Sequence, residues 1–258
     1  MPWTTFDALR ATLRPVAACI LLVALIEFAK RVHLLPVFLP APSDVFWEAW
    51  KNPALLTRNL PPTAWKASTG YAIAVCVAIV SASIAVSVRA LYGPIYNVGV
   101  VIHSIPIIAT APLLALWLGT GAEVQIVIAA LSSQFPMLVG TIQGLQASDA
   151  KQRELMHVLC ASRLQTLRYL QIPSALPYLF AGLKIAAPSA VLGAITAEWA
   201  GADQGVGAMM LYALFSYDPP KVWLSVALTC LLAGGGFGIW AVLERIVVSW
   251  SHEVSLAD

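Results

Sequence analysis

Charge is what this chain has least of. Of its 258 residues, 13 are acidic and 15 basic, 11% in all. Water-soluble domains carry about 25%, so this chain cannot clothe itself in polar surface. With 59% hydrophobic residues and a mean hydropathy of +0.79, it is expected to be an integral membrane protein. A net charge of +2 leaves no basic field for nucleic acid. Cysteine is sparse as well. Cys19, Cys76, Cys160 and Cys230 are widely scattered and no two have metal spacing. They are expected to be small filler rather than ligands or a disulfide framework. No Gly-x-x-x-x-Gly-Lys-Ser/Thr, His-Glu-x-x-His or Gly-x-Ser-x-Gly occurs, so any ATP is expected to bind elsewhere and no intramembrane hydrolase is indicated. No convincing cleavage site follows Asp7, Arg10 and Arg14, and an uncleaved first span is expected.

What the chain does have is long apolar runs. Spans of about 20 residues are expected near 16–35, 69–88, 96–118, 124–145, 175–196 and 222–248. The fold class is therefore all-α, with about six transmembrane helices in a single permease-like domain, 1–258. A barrel is excluded because the runs do not alternate. Residues 36–65 are too rich in proline to span, but Ser43–Trp50 reads as a short interfacial helix bearing aromatic side chains. Residues 89–94 read as a tight turn and Glu198–Lys221 as a Gly-rich, polar connection.

One island is polar. Residues 146–174 hold Lys151, Arg153, Glu154, Arg163 and Arg168. Lys151 to Leu159 forms about two turns with Leu155, Val158 and Leu159 on one side. Ser162 can cap a second helix, with Leu164, Leu167, Leu170 and Ile172 as its buried side, ended by Pro173 and Pro177. A helix–turn–helix with a charged rim suits docking into a partner's groove; a solvated connecting loop fits the same pattern.

The island's sequence resembles the EAA loop of ABC importer permeases. Glu154 takes the first position of that motif, Leu155 and Met156 replace its two alanines, and Cys160 stands in place of its glycine. Ala161, Ser162 and Arg163 follow, and Leu170-Gln171-Ile172-Pro173 arrives at the right spacing. Where that position needs a positive φ, a non-glycine residue costs about 1 kcal/mol. Leu39-Pro40-Ala41-Pro42-Ser43, Ser104-Ile105-Pro106, Ala111-Pro112-Leu113, Trp117-Leu118-Gly119, Phe135-Pro136, Ala197-Glu198-Trp199 and Gly205-Val206-Gly207, in this order, narrow the resemblance to nitrate/sulfonate/taurine permeases over roughly residues 36–215.

The resemblance implies a type I importer permease in the bacterial inner membrane. Its partners would be two ABC ATPase subunits docked on the 146–174 loop, a second permease copy or sister chain, and an extracytoplasmic substrate-binding protein. ATP and Mg would sit on the ATPase, with no cofactor in this chain. The solute would be a sulfonate, taurine or nitrate, or a vitamin or pyrimidine precursor. The loop's cytoplasmic placement rests on the resemblance, because the basic residues divide almost evenly between the two faces. Polar groups inside spans are candidates for the path: His103, which reads also as a structural hydrogen bond between helices, and Ser104, then Ser132, Ser133 and Gln134, and Glu198, which reads as an interfacial cap or else as a gate or binding-protein contact. Lys184 is expected to snorkel, Glu27 to pair with Lys30 or Arg31, and Gly234–Gly238 to permit close helix packing. An ion-coupled carrier is the rival from another class; it calls for midplane carboxylates and often inverted repeats, and neither is visible.

Overall fold

The computed structural model describes residues 5–34, 36 and 38–248, with side chains from residue 17 onward except Cys19. The readings of Asp7, Arg10, Arg14 and the Cys19 side chain lie outside this set. Every regular element among the described residues is helical: α1 (Thr5–Arg31), α2 (Pro42–Lys51), α3 (Pro53–Ser87), α4 (Arg89–Ser104), α5 (Ile107–Leu118), α6 (Ala122–Gln146), α7 (Ala150–Val158), α8 (Arg163–Thr166), a π turn (Leu167–Gln171), α9 (Ile172–Glu198), α10 (Val206–Phe215) and α11 (Pro219–Val247). Among them four long helical segments can cross a bilayer: α3, α6, α8 through α9, and α11. The α4–α5 pair makes a fifth, bent by 94°. Helix α1 stands where the first span is expected.

The helices depart from the sequence reading at the prolines. Helix α3 begins at Pro53 and runs through Pro61 and Pro62, so much of the segment read as non-spanning joins a span. Proline is tolerated in membrane helices where neighbouring groups satisfy the backbone it frees. Arg89–Pro94 is the start of α4 rather than a turn, for the same reason. The expected third span is broken at Ile105–Pro106, where Ile105 is extended (φ −72°, ψ 127°); a residue before proline is driven out of the α region. Pro173 does not end a helix either. It lies in the first turn of α9, just after the π turn, where the Ile172 N–H reaches back to the Leu167 carbonyl. This local widening carries the chain past a residue with no N–H to give. The polar connection 198–221 contains the apolar helix α10.

The structure divides into two units. One holds α1, α2 and the segment Met209–Ala227. There Glu27 accepts from the Ser43 N–H at 3.1 Å and the Ser43 hydroxyl at 2.8 Å, fixing the start of α2. Glu27 also pairs with Arg31 at 2.9 Å, as its spacing predicts. Phe46, Trp47 and Trp50 are exposed on α2, as befits an interfacial helix.

The other unit, Arg58–Ala208 and Leu228 onward, carries the candidate site. Its packing rests on small residues. A Cβ on Gly140 would lie 2.9 Å from the Gly182 Cα and the Tyr178 carbonyl oxygen, and one on Gly70 2.6 Å from the Ile126 oxygen. Ala78, Ala82, Met137, Leu138, Ile142 and Ala186 form the core between α3, α6 and α9. Lipid tails are as apolar as leucine, so close backbone approach, not exclusion of water, holds such helices together. Among the described residues nothing lies within 4 Å of a Cβ on Gly234, Gly235 or Gly238, so close packing of that glycine run is not seen there; Gly236 nears a neighbour, with a Cβ there 3.3 Å from Ala187. Lys184 does not snorkel but pairs with Glu244 of α11 at 2.5 Å.

Candidate functional site

At one end of α6 and α9 stands the polar island. Helix α7 opens with Asp149, whose carboxylate accepts from the Lys151 N–H at 3.4 Å while Gln152 Oε1 accepts from the Asp149 N–H at 3.2 Å, a reciprocal cap. Arg153 anchors the helix by donating to the Ser148 hydroxyl at 2.8 Å and the Ser148 carbonyl at 3.1 Å. Helix α7 ends on Cys160, which is left-handed at φ 51°. The Ala161 N–H bonds to the Met156 carbonyl and the Cys160 N–H to the His157 carbonyl, both at 3.0 Å. This is the Schellman pattern, which favours glycine at the position Cys160 occupies. Ser162 then caps α8 as its sequence position predicts, accepting from the Gln165 N–H at 3.3 Å, with Gln165 Oε1 accepting from the Ser162 N–H at 2.7 Å. Three local locks therefore fix two short helices at a set angle.

Their apolar side is uncovered. Leu155, Val158, Leu159, Leu164 and Leu167 are exposed, as are Glu154 and Arg163, whereas Met156 and Ala161 are half-buried. The expected buried side of the second helix is met by Leu170 alone; Leu164, Leu167 and Ile172 are exposed because none of the described residues lies over them. Pro173 sits in the continuous helix behind.

The polar candidates inside the spans do not converge. His103 stacks on Phe135 with ring centroids 4.9 Å apart and lines a cavity of about 110 Å³ beside the α4–α5 break. Ser104 donates to the Val100 carbonyl of its own helix at 2.8 Å. Ser132 and Ser133 are buried, donating to the Ile128 and Ala129 carbonyls at 2.6 and 2.8 Å. Ser132 lies where α6 meets Gly193 of α9, and Gln134 is half-buried.

Glu198 is different. Its side chain is fully buried and shares three donors: the Thr63 hydroxyl at 2.7 Å, Lys66 Nζ at 2.7 Å and the Gly207 N–H at 2.7 Å. Thr63 Oγ1 in turn accepts from the Val206 N–H at 2.8 Å, and Asn59 Oδ1 accepts from the Gly205 N–H at 3.1 Å. Glu198 thus caps the first turn of α10, a favourable place for an anion, and the cap among its sequence readings is realised. Gly205 has φ 137°, and a Cβ there would collide with the Glu198 carboxylate, so glycine is required. Sequence reasoning missed Lys66. A partial signal was present: Asn59, Thr63 and Lys66 fall at i, i+4 and i+7 and share one face of a helix that also carries Thr57, Arg58, Ser68 and Thr69.

The helices, the capped loop and its chain position define an importer permease, and the comparisons agree. Residues 74–246 match the family described as "Binding-protein-dependent transport system inner membrane component", and the chain belongs to that family. Relatives include the formylaminopyrimidine transport permease protein ThiX of Halalkalibacterium halodurans, 29% identical over 92% of this chain and 96% of its own length. The riboflavin transport system permease protein RibX of Chloroflexus aurantiacus is 30% identical over 83% and 81%. The taurine transport system permease protein TauC of Escherichia coli is 27% identical over 85% and 82%. The fold matches a solved amino acid ABC transporter with TM-score 0.63 at 15% identity, covering 78% of this chain and 98% of that one. The chain is thus a multi-pass inner-membrane permease of the binding-protein-dependent ABC type.

Proposed function

We propose that this permease works with two ATPase subunits that bind the α7–α8 surface, a second permease chain, and an extracytoplasmic binding protein that delivers the solute. ATP and Mg act on the ATPase; this chain holds neither. The observation that carries the reading is the uncovered Leu155, Val158, Leu159 and Leu164 on two helices held rigid by capping. A rigid apolar ridge with Glu154, Arg163 and Lys151 at its rim fits helix-in-groove docking. ATP-driven closure of the partner would move the loops together and favour one state of the spans over the other.

The solute is a small organic molecule. Taurine and the related sulfonates are one class, supported by the match to TauC. Pyrimidine or flavin compounds are the other, supported by ThiX and RibX, which match at slightly higher identity. Uptake into proteoliposomes holding the assembled transporter and its binding protein separates the two. ATP-dependent entry of labelled taurine supports the first, and entry of a labelled pyrimidine or riboflavin supports the second. Entry of either without ATP, driven by an ion gradient, would point instead to a secondary carrier.

A further inference from the structure

The ion pair of Lys66 and Glu198 is buried, at 8% and 0% side-chain exposure, in a chain with few charges, and the docking surface makes no use of it. Helices α6 and α9 have the α7–α8 loop at one end, so Glu198, at the far end of α9, belongs to the opposite face of the protein. A buried ion pair adds little to stability over an apolar pair of the same volume, so bulk stability does not account for it. What the pair does locally is hold a turn. Residues 199–205 leave α9 with the Ala202 N–H on the Glu198 carbonyl at 3.1 Å. They return on the Gly205 and Gly207 N–H groups, held by Asn59 and Glu198. Lys66 Nζ reaches the Gln204 carbonyl at 3.4 Å as well as the carboxylate. Between these fixings Asp203 and Gln204 are exposed. With Trp65, Lys66, Thr120 and Gln125 they wall a groove of about 580 Å³.

We propose that Lys66 and Glu198 are positioning residues that set the 199–205 turn in the geometry through which the loaded binding protein triggers ATP hydrolysis at the opposite face. The inference rests on the importer reading. A neutral pair can hold the turn nearly as well, whereas one charge left alone cannot stay buried and the turn shifts.

The test uses the assembled transporter in proteoliposomes with its binding protein, purified with whatever solute it carries. Hydrolysis is read with and without that protein. Lys66→Met should lower the stimulated rate at least about tenfold, because it leaves the Glu198 carboxylate without its cation and shifts the turn, while basal hydrolysis and ATPase co-purification hold. The double variant Lys66→Met with Glu198→Gln should return to within about threefold of wild type, as coupled neighbours do. A merely structural role would lower basal rate, stimulation and yield together. Thr63→Val strands no cation and removes the hydroxyl's links to Glu198, the Val206 N–H and the Asn59 carbonyl; it should also cut stimulation while the chain stays folded, which decides the matter where Lys66→Met fails to accumulate. Wild-type stimulation in Lys66→Met or Thr63→Val would overturn the proposal alone. A wild-type chain that recruits no ATPase would overturn the importer reading and this proposal with it.

Discussion

At Cys160 the left-handed backbone, φ 51°, meets a side chain that costs about 1 kcal/mol relative to glycine. Cys160→Gly should therefore stabilise the loop by about that amount and tighten ATPase association up to about fivefold. Cys160→Val should weaken it, since β-branched residues tolerate positive φ least. Titrating the ATPase subunit against each variant in detergent checks both directions; equal affinity across the three would show that the turn relaxes. The position of this strained residue is legible from the sequence, because its spacing from Glu154 and Pro173 marks where the turn must fall. The partner of Glu198 is not. An ion pair between α3 and α9 depends on which helix faces pack, and no local pattern records that. The stripe Asn59, Thr63 and Lys66 shows only that one face of α3 needs polar company.

Between elements, the packing of α6 on α9 rests on glycine rather than on large apolar side chains. Gly140→Val would drive methyl groups into the Tyr178 carbonyl, 2.9 Å from the first added carbon. It should cost about 1–3 kcal/mol and lower the melting temperature of the purified protein in detergent, whereas Gly93→Ala in helix α4, with nothing within 4 Å, should hold or raise it. The exposed ridge of α7 and α8 behaves oppositely. Leu155→Ser with Leu159→Ser should leave the melting temperature within about 4 °C, because surface changes away from the core are within about 0.5 kcal/mol each, yet abolish ATPase co-purification. Helix existence was readable here from apolar runs and capping residues such as Ser162. Helix boundaries were not. Pro61, Pro62, Pro94 and Pro173 all read as breakers, yet all lie within helices: inside a span neighbouring groups satisfy the backbone that proline frees, and at Pro173 the π turn and a first-turn position do so. Only Pro106 broke its span, where the preceding Ile105 turned extended.

For the whole molecule, scarce charge requires a membrane helix bundle, and the one capped polar loop presents the apolar ridge on which we propose an ATPase docks. The family match over residues 74–246 and the shared fold agree with a multi-pass importer permease. The most direct measurement is purification of the chain from its native membrane in mild detergent, with identification of what accompanies it and an assay for ATP hydrolysis. The account predicts a stoichiometric ATPase bearing a phosphate-binding loop, two per complex, and its loss when Leu155 and Leu159 are made polar. A chain that purifies alone, hydrolyses nothing, and still moves solute down an ion gradient in vesicles would contradict it.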